Sequence, residues 1–392
     1  MKTTDLAGFF IAGLMNNMPF VIMNAGAKDI APDLVGLVYV ANIVPGLMMK
    51  LTGPYWFHHV PYKLRVLITA FQMSASFALV AIGLQLDIFA LMLLGVAIGS
   101  SQAGFGEASF LALTSFYDSR RALTAWSSGT GLAGIMGYGW VVLFTSGLGM
   151  SFQLTMLCAL VLPVSAYMNY LFVLSPPTKE KPAYSLLDDV EETDAKDVKE
   201  FGNEPLLENE ESSSAKMTTA ERLRLSLDLW PYMFPLFLVY FSEYAMQSGV
   251  WAAIGFPIDS DSARKDFYRY SNWMYQGGVL VSRSSGMLWK ADMKALWIMP
   301  ILQTFILVFF IADAYEQWWY DWSLLALCFV VGLFGGAVYV GGFALIADTV
   351  PPHLTEFSLG TAAVGADIGI ACSNVAAIFI QKALYDYHGV SD

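Results

Sequence analysis

Long apolar stretches without a charged residue recur along this chain of 392 residues. A transmembrane helix requires about 20 mostly apolar residues, and the stretches that meet this requirement are 7–27, 66–86, 88–106, 122–150, 152–174, 295–312 and 322–347. Four weaker stretches contain or adjoin a charge, namely 34–49 next to Lys50, 229–255 with Glu243, 270–289 with Arg283, and 357–381 with Asp367. We therefore predict an all-α, polytopic membrane protein with about eleven spans.

The composition excludes a soluble protein, because 56% of the residues are hydrophobic and only 14% are charged. The first apolar stretch is interpreted as a span and not as a signal peptide, since only Lys2 and Asp5 precede it as charges and no small-x-small cleavage site follows. The cysteines all lie inside predicted spans and indicate neither a disulfide framework nor a metal site: Cys158, Cys328 and Cys372. We expect no cofactor.

One long segment, 175–224, lacks the pattern of a span and is strongly acidic. It opens with Pro176-Pro177 and holds about half of the net charge of −12. A segment of this composition cannot bury a core, and we predict that it is disordered. It divides the chain into a half of about six spans, 1–174, and a half of about five, 225–392, which is the plan of a two-halved transporter.

The distribution of Lys and Arg over the short loops predicts the orientation of the chain. Numbered from a cytosolic N-terminus, the odd loops of the first half hold only Lys28, while the even loops hold Lys63, Arg65, Arg120 and Arg121. We therefore predict that the N-terminus and the 175–224 loop face the cytosol. Three residues in the seventh loop run against this rule: Arg264, Lys265 and Arg269. The side of the C-terminus depends on whether 270–289 crosses.

Charged side chains inside the spans are the first candidates for function, because each is costly unless it faces a polar cavity or a partner. They are Glu107, Glu243, Arg283 and Asp367. In the two-halved plan the first, fourth, seventh and tenth spans line a central cavity. Their further polar residues are Asn16, Asn17, Ser101, Gln102, Tyr240, Tyr244, Gln247 and Tyr339. The i, i+3, i+4, i+7 spacing from Tyr240 to Gln247 puts the polar residues of the seventh span on one face. Gln276 and Arg283 share a face of the eighth span.

Structural roles are the alternative for the same residues. Each carboxylate could be a protonated hydrogen-bonding group between helices, or could pair with Arg283 to steady the bundle. Arg283 lies near the end of its span and could extend to the headgroups. Asp367 lies between Gly365 and Gly369, a small-xxx-small pattern, and we predict that it belongs to a helix contact.

The string Gly129-Thr130-Gly131-Leu132-Ala133-Gly134 matches the dinucleotide pattern G-x-G-x-x-G, but that pattern requires a preceding strand and here lies inside an uncharged span. We interpret these glycines as a surface of close helix approach. An intramembrane enzyme is the rival class, yet the sequence lacks HExxH, GxSxG and paired-aspartate motifs. The histidines lie in loops and the tail: His58, His59, His353 and His388. We expect no enzymatic activity.

Several unusual strings are distributed over nearly every predicted span: Gly13-Leu14-Met15-Asn16-Asn17, His59-Val60-Pro61-Tyr62, Gly104-Phe105-Gly106-Glu107, Trp126-Ser127-Ser128-Gly129-Thr130-Gly131, Glu243-Tyr244, Tyr275-Gln276 and Ser282-Arg283-Ser284-Ser285. Together they resemble the battenin family, membrane proteins of the lysosome and vacuole of the juvenile ceroid lipofuscinosis type.

The resemblance implies a major-facilitator-like fold of about eleven helices in the lysosomal or vacuolar membrane. It also implies roles in lysosomal pH homeostasis and in clearing small metabolites, with glycerophosphodiesters and basic amino acids as the substrate classes. The residues that match the family's motif positions are Glu107, Glu243 and Arg283. The sequence departs from relatives at Gly341, where they place an asparagine, and it ends without a CaaX cysteine, so that we expect no prenylation.

The leading hypothesis is a solute transporter that works by alternating access, with a site near mid-membrane between its halves. For a glycerophosphodiester, Arg283 would face the phosphate and Glu243 the head group. The predicted site also includes Tyr240, Tyr244, Gln247, Gln276, Asn16 and Asn17. Glu107 is the candidate for the coupled proton. The alternative is a non-transporting scaffold or pH-regulating protein whose acidic loop recruits trafficking partners.

Two strings in the 175–224 loop are similar to sorting signals: Tyr184-Ser185-Leu186-Leu187 and Glu204-Pro205-Leu206-Leu207. We predict that one of them, through Tyr184 and Leu187 or through Leu206 and Leu207, directs the protein to lysosomes or vacuoles by binding trafficking adaptors. The other expected partners are a small-molecule solute and the lipid bilayer, with no nucleic acid.

Overall fold

The chain forms α-helices, short π and 3-10 turns and no β-strand within residues 1–30, 35–175 and 218–390, which the computed structural model describes. The helices of the first half are α1 Thr3–Ala25, α2 Ala27–Ile30, α3 Val35–Trp56, α4 Tyr62–Leu86, α5 Phe89–Leu113, α6 Ser119–Val142, α7 Phe152–Cys158 and α8 Val161–Phe172. Those of the second half are α9 Thr219–Asp228, α10 Trp230–Ala245, α11 Asp261–Ser284, α12 Met293–Glu316, α13 Leu324–Thr349 and α14 Pro352–His388.

Each predicted span falls on a helix or a helix pair, but several helices extend well beyond the predicted limits, and two of these extensions change the interpretation of charged residues. Helix α3 continues past Lys50 to Trp56, so Lys50 lies inside a helix and not at its end. Helix α11 begins at Asp261, because the Ser260 side chain caps it by accepting a hydrogen bond from the Ala263 amide at 3.3 Å. The prediction that Arg264, Lys265 and Arg269 lie in a loop is therefore wrong, since all are helical.

Seven helical segments of the described chain are long and apolar enough to cross a membrane. They are α1, α4, α5, α7 and α8 taken together, α12, α13 and α14. Helix α10 joins them if it is counted with α9, from which it is bent by 59°. Helices α6 and α11 carry more polar residues because parts of their surfaces face a polar interior, and α3 has only a shorter apolar segment, Leu37–Gly53. The total of eleven crossings therefore stays a prediction.

The two halves repeat one packing pattern. Helix α1 packs against α6 and α3 against α5, and in the second half α10 packs against α14 and α11 against α13. The halves meet where α6 packs on α11 and where α3 packs on α14. The sequence prediction of two halves thus corresponds to two similar helix groups with a seam between them.

Glycines permit the close approach of paired helices, as predicted. A Cβ atom added at Gly129 would lie 2.0 Å from the Phe10 carbonyl oxygen on α1, and one at Gly332 would lie 2.1 Å from the Tyr275 carbonyl oxygen on α11. Contacts of this length leave no room for a side chain. The G-x-G-x-x-G string is therefore part of a helix-packing surface.

The predicted acidic loop, 175–224, overlaps a helix at its end. Thr218 caps α9 by accepting a hydrogen bond from the Glu221 amide at 3.3 Å, so residues 219–224 are helical. Residues 176–217 lie outside the described residues, and with them the predicted sorting residues Tyr184, Leu187, Leu206 and Leu207.

Candidate functional site

A polar cavity lies at the seam between the two halves, with a volume of about 170 Å³. Helices α1, α5, α10 and α13, expected at the centre, contribute to its wall, and α3, α6, α11 and α14 line it as well. The predicted site residues on this wall are Asn17, Glu107, Tyr240, Tyr244, Gln247, Gln276 and Arg283. One cavity therefore brings together most of the polar groups expected from the sequence.

Two predicted site residues, Asn16 and Glu243, are not on the cavity wall. Asn16 is 2% exposed and connects α1 to α5, because its Nδ2 donates to the Ala103 carbonyl at 3.2 Å and its Oδ1 accepts from Gln102 Nε2 at 3.0 Å. Glu243 is 1% exposed and accepts a hydrogen bond from the Tyr275 hydroxyl at 2.9 Å. Tyr275 lines the cavity, whereas Glu243 and Asn16 do not, so the predicted placement of these two residues in the cavity is corrected.

Arg283 points into the centre of the protein. Its Nη1 donates to Thr130 Oγ1 at 2.5 Å, and its Nη2 donates to the Tyr240 hydroxyl at 2.7 Å. The guanidinium lies over the ring of Tyr339, 4.2 Å from the ring centroid, in a cation–π contact. The alternative that Arg283 extends to the headgroups is therefore wrong.

The partners of Arg283 are neutral. Its Nε is buried and has no hydrogen-bond partner, and Arg283 forms no salt bridge with any residue that the structure describes. Buried cations are normally paired with anions, because an isolated buried charge is costly. The cavity therefore holds a guanidinium that donates to hydroxyls and forms no salt bridge with a carboxylate of the described residues.

Glu107 belongs to an ion cluster centred on Lys50. The Lys50 Nζ lies 2.5 Å from Glu107 Oε2 and 2.8 Å from Asp367 Oδ1. The Tyr339 hydroxyl donates to Glu107 Oε1 at 2.6 Å. We call Lys50, Glu107, Asp367 and Tyr339 the Lys50 cluster. The alternative that the carboxylates pair with Arg283 does not hold for Glu107 and Asp367, whose cation is Lys50.

Lys50 is the charged cavity residue of the described chain that the span pattern did not identify as a site residue, because the apolar stretch 34–49 was ended at its charge. A signal was present, since Leu47-Met48-Met49 precede Lys50 and Leu51 follows it. A charge flanked by apolar residues on both sides interrupts a span instead of ending it.

Asp367 was predicted to belong to a helix contact, but its side chain lines the cavity. Its neighbours Gly365 and Gly369 do form a helix contact, since added Cβ atoms would lie 2.5 Å from the Met233 carbonyl oxygen and 2.4 Å from the Phe237 carbonyl oxygen on α10. Asp367 itself lines the cavity. The small-xxx-small pattern thus holds α14 against α10 while presenting a carboxylate to the interior.

A wider vestibule of about 580 Å³ lies next to the cavity. Both are lined by Asn24, Gly134, Tyr138 and Gln276, so the two spaces meet at these residues. The vestibule is at the end of the bundle where α1 ends and α11 begins, which we call the open face. Arg264, Lys265 and Arg269 line it, with Asp261 beside them.

The opposite end of the bundle, where α1, α4 and α14 begin, is held together by contacts between the halves, and we call it the closed face. The Tyr62 hydroxyl donates to Glu356 Oε1 at 2.5 Å, and Arg120 Nε donates to the Gly286 carbonyl at 3.2 Å. The hydroxyls of Tyr55 and Ser226 lie 3.3 Å apart. The central cavity is therefore reached from one face and blocked toward the other.

The family model and the similar proteins all indicate the same family. The family described as CLN3 protein matches residues 7–387. Protein BTN1 of Yarrowia lipolytica is 33% identical over 389 residues, which cover 97% of this chain and 94% of the relative. Battenin of Canis lupus familiaris is 32% identical over 419 residues, with 97% of this chain and 91% of the relative covered.

Solved structures share the fold at low sequence identity. The major facilitator superfamily proton:xylose symporter XylE, solved with 6-bromo-6-deoxy-D-glucose bound, is 10% identical with a TM-score of 0.64, and 99% of this chain and 90% of that chain are covered. The transporter FucP in its outward conformation is 13% identical with a TM-score of 0.59, covering 97% and 91% of the two chains. This likeness shows a major-facilitator fold.

Proposed function

The chain belongs to the CLN3 protein family, and on that premise we propose that it is a transporter of the lysosomal or vacuolar membrane that moves a glycerophosphodiester by alternating access. Family and fold make it a multi-pass, transporter-like membrane protein. The solute, the coupled ion and the orientation belong to the proposal. Its further parts are a role in lysosomal pH homeostasis, which would follow from proton movement, and sorting through the 175–224 loop.

The observation that carries the proposal is Arg283 in the cavity without a salt bridge to any carboxylate of the described residues. A diester phosphate offers one negative charge and two terminal oxygens, which match the fork of a guanidinium. Thr130 and Tyr240 are neutral, exchangeable partners, so the Nη1 and Nη2 donors of Arg283 can turn to such a group. Basic amino acids fit less well, because the carboxylates on the cavity wall are already paired with Lys50.

The remaining wall suits the rest of the solute. Tyr240 and Tyr244 stack with ring centroids 6.2 Å apart, and Gln247 and Gln276 add amide groups. Aromatic faces attract the cationic head that some glycerophosphodiesters carry. Glu243 would act indirectly, by fixing the hydroxyl of Tyr275 on the cavity wall.

A count of charges supports proton coupling. The charged groups on the cavity wall of the described chain are Lys50, Arg283, Glu107 and Asp367, so their formal charges cancel. A diester with one negative charge would leave the loaded cavity negative, and one proton taken up by a carboxylate would restore neutrality. Because a net charge is costly inside a membrane protein, we propose that the Lys50 cluster, which contains the sequence candidate Glu107, holds one proton per solute.

Transport by purified protein in sealed lipid vesicles, measured with labelled glycerophosphoglycerol, a glycerophosphodiester with one net negative charge, tests this function. We expect Arg283→Gln to lower the initial rate about tenfold or more, because a charge-assisted hydrogen bond contributes about 1.5–3 kcal/mol. The initial rate of Arg283→Lys should lie between those of Arg283→Gln and the parent, since lysine keeps the charge and loses the planar fork.

The matched control is Arg121→Gln. Arg121 is exposed and pairs with Asp118 at 3.3 Å on the closed face, away from the cavity. This variant should transport at the parental rate. A folded Arg283→Gln protein with a rate within about twofold of the parent would contradict the proposed function.

A further inference from the structure

The Lys50 cluster connects the two halves of the protein inside the cavity. Lys50 on α3 and Glu107 on α5 belong to the first half, whereas Asp367 on α14 belongs to the second. The bond of 2.8 Å between Lys50 Nζ and Asp367 Oδ1 therefore crosses the seam. Lys50 and Glu107 lie within the last two turns of helices that end at the closed face. Separation of the halves at that face has to break this bond.

The cluster is largely shielded from solvent and carries unequal charges. The side chains of Lys50, Glu107 and Asp367 are 6%, 13% and 15% exposed. One ammonium faces two carboxylates, which leaves one excess negative charge where water screens it poorly. Two carboxylates close to one cation favour the uptake of one proton by the pair.

The two carboxylates are not equivalent. Glu107 receives hydrogen bonds from both Lys50 and Tyr339, so each of its oxygens has a donor. Asp367 receives one only from Lys50 among the residues that the structure describes. Protonation of Glu107 would disturb two short bonds, whereas protonation of Asp367 disturbs one. Asp367 is also the member whose bond crosses the seam.

We propose that Asp367 takes up the coupled proton and that its ion pair with Lys50 is the internal lock between the two halves. This inference rests on the proposed function and assigns a residue to its coupling step. Lys50 keeps its own proton throughout and stays paired with Glu107. The proton adds to the Asp367 carboxylate from the open face, the bond to Lys50 breaks, and the closed face is free to open.

On the other side of the membrane the steps reverse. Solute leaves, Asp367 releases its proton to that compartment, and the bond to Lys50 forms again. The proton that enters with the solute is thus the proton that leaves, and no other reactant is required.

The groups that face Asp367 from neighbouring helices are consistent with this role. They are Lys50 from α3, Glu107 from α5, Tyr240 and Tyr244 from α10, and Tyr339 from α13, with Arg283 from α11 across the cavity. The π turn Met246–Val250 contributes the neutral Gln247. Lys50 is therefore the cation that holds Asp367 ionised. Breaking the contact between them favours protonation of Asp367, and protonation of Asp367 favours breaking the contact.

Asp367→Asn tests the proposal, because asparagine has the size of a protonated aspartate and cannot carry the charge. In the vesicle assay we expect the parent to accumulate solute about tenfold for a gradient of one pH unit, the limit for one proton per solute. The variant should reach about equal concentrations on both sides while still exchanging solute at equal pH. Asp348→Asn is the matched control, since Asp348 forms an ion pair with Lys290 at 2.7 Å outside the cavity.

A second readout follows the lock without transport. Ser226→Cys puts a thiol on the closed face, where Ser226 contacts Tyr55. Its reaction with an impermeant maleimide is corrected for the protein that has only the native cysteines and divided by the rate of a small free thiol at the same pH, because acid lowers the reactive thiolate fraction. This relative rate should be low at neutral pH and higher at acid pH. In Asp367→Asn the reaction should be fast at both pH values, about tenfold above the parent at neutral pH.

The outcomes separate this inference from the proposed function. Unchanged pH-driven accumulation and unchanged thiol reactivity in a folded Asp367→Asn protein would overturn the inference and leave transport intact. Loss of the pH dependence in Glu107→Gln but not in Asp367→Asn would assign the proton to Glu107 and also overturn it. Normal transport by Arg283→Gln would instead contradict the function, whatever the thiol of Ser226→Cys reports.

Discussion

At the residue scale, the chemistry of this protein depends on which charges have partners. Lys50 lies 2.5 Å from Glu107 and 2.8 Å from Asp367, while the Arg283 guanidinium donates, within the described chain, only to hydroxyls. The first cation is therefore paired with carboxylates, whereas the second has only neutral partners among the described residues. On the proposed function, two basic side chains in one cavity would thus have different roles because their neighbours differ.

Substitutions of Glu243 test whether its carboxylate contacts the solute or only holds Tyr275 in place. Because its carboxylate accepts a hydrogen bond from Tyr275 outside the cavity wall, we expect Glu243→Gln to keep that bond and to transport at a rate close to the parent. Glu243→Ala should lower the free energy of unfolding by about 1–3 kcal/mol, since it leaves the buried Tyr275 hydroxyl without its acceptor. Thermal unfolding in detergent and vesicle transport measure the two effects. A folded Glu243→Gln protein that does not transport would make Glu243 a solute ligand.

At the scale of elements, close packing fixes where the polar side chains point. Helices α1 and α6 approach so closely at Gly129 that Thr130, the next residue, is held beside Arg283. Gln276 packs over Gly134 in the same way, because a Cβ atom there would lie 1.9 Å from Gln276 Oε1. The glycines of α6 therefore shape both the helix contact and the cavity wall.

We expect Gly129→Ala to destabilise the protein by about 1–3 kcal/mol, because the new methyl group would overlap the Phe10 carbonyl and force the helices apart. Gly139→Ala is the matched control on the same helix, where no atom lies within 4 Å of the added Cβ. The control should be neutral or stabilising by up to about 1 kcal/mol, since alanine favours helix. Thermal unfolding measures both, and equal melting temperatures would refute the packing argument.

At the scale of the whole molecule, the two halves form a cavity that is reached from one face. The basic residues Arg264, Lys265 and Arg269, which run against the charge rule for loops, line the vestibule of that face. Cations at the mouth of a cavity raise the local concentration of anions. Under the proposed function these residues, which also pair with Asp261 and Asp266, would attract an anionic solute to the open face.

The orientation of the whole molecule in the membrane can be tested directly. We expect the N-terminus and residues 176–217 to face the cytosol, which would make the open face luminal. Protease added to sealed lysosomal or vacuolar vesicles should then cut within 176–217 without detergent, because basic short loops stay on the cytosolic side. Cleavage only after detergent is added would show that the orientation is the opposite of the predicted one, and that the expected direction of transport is reversed as well. An epitope in the Leu148–Met150 turn at the open face should show the opposite protection.

The sequence by itself determined that this is an all-helical membrane protein in two halves, and it identified Arg283, Tyr240 and Glu107 as costly or clustered polar groups. Apolar length and charge position are local properties of the chain, and lipid allows few solutions for them. The family resemblance was equally local, because it depends on strings such as Gly104-Phe105-Gly106-Glu107.

Only the tertiary structure decided which of these groups meet. Lys50 and Asp367 are far apart in the sequence, and nothing in either segment shows that α3 lies against α14. The rotation of α10 that turns Glu243 toward Tyr275, and leaves Tyr240 and Tyr244 in the cavity, depends on how α10 packs against α14 and α13. Helix periodicity predicts which residues share a face, but the contacts of that face are set by packing between helices that are distant in sequence.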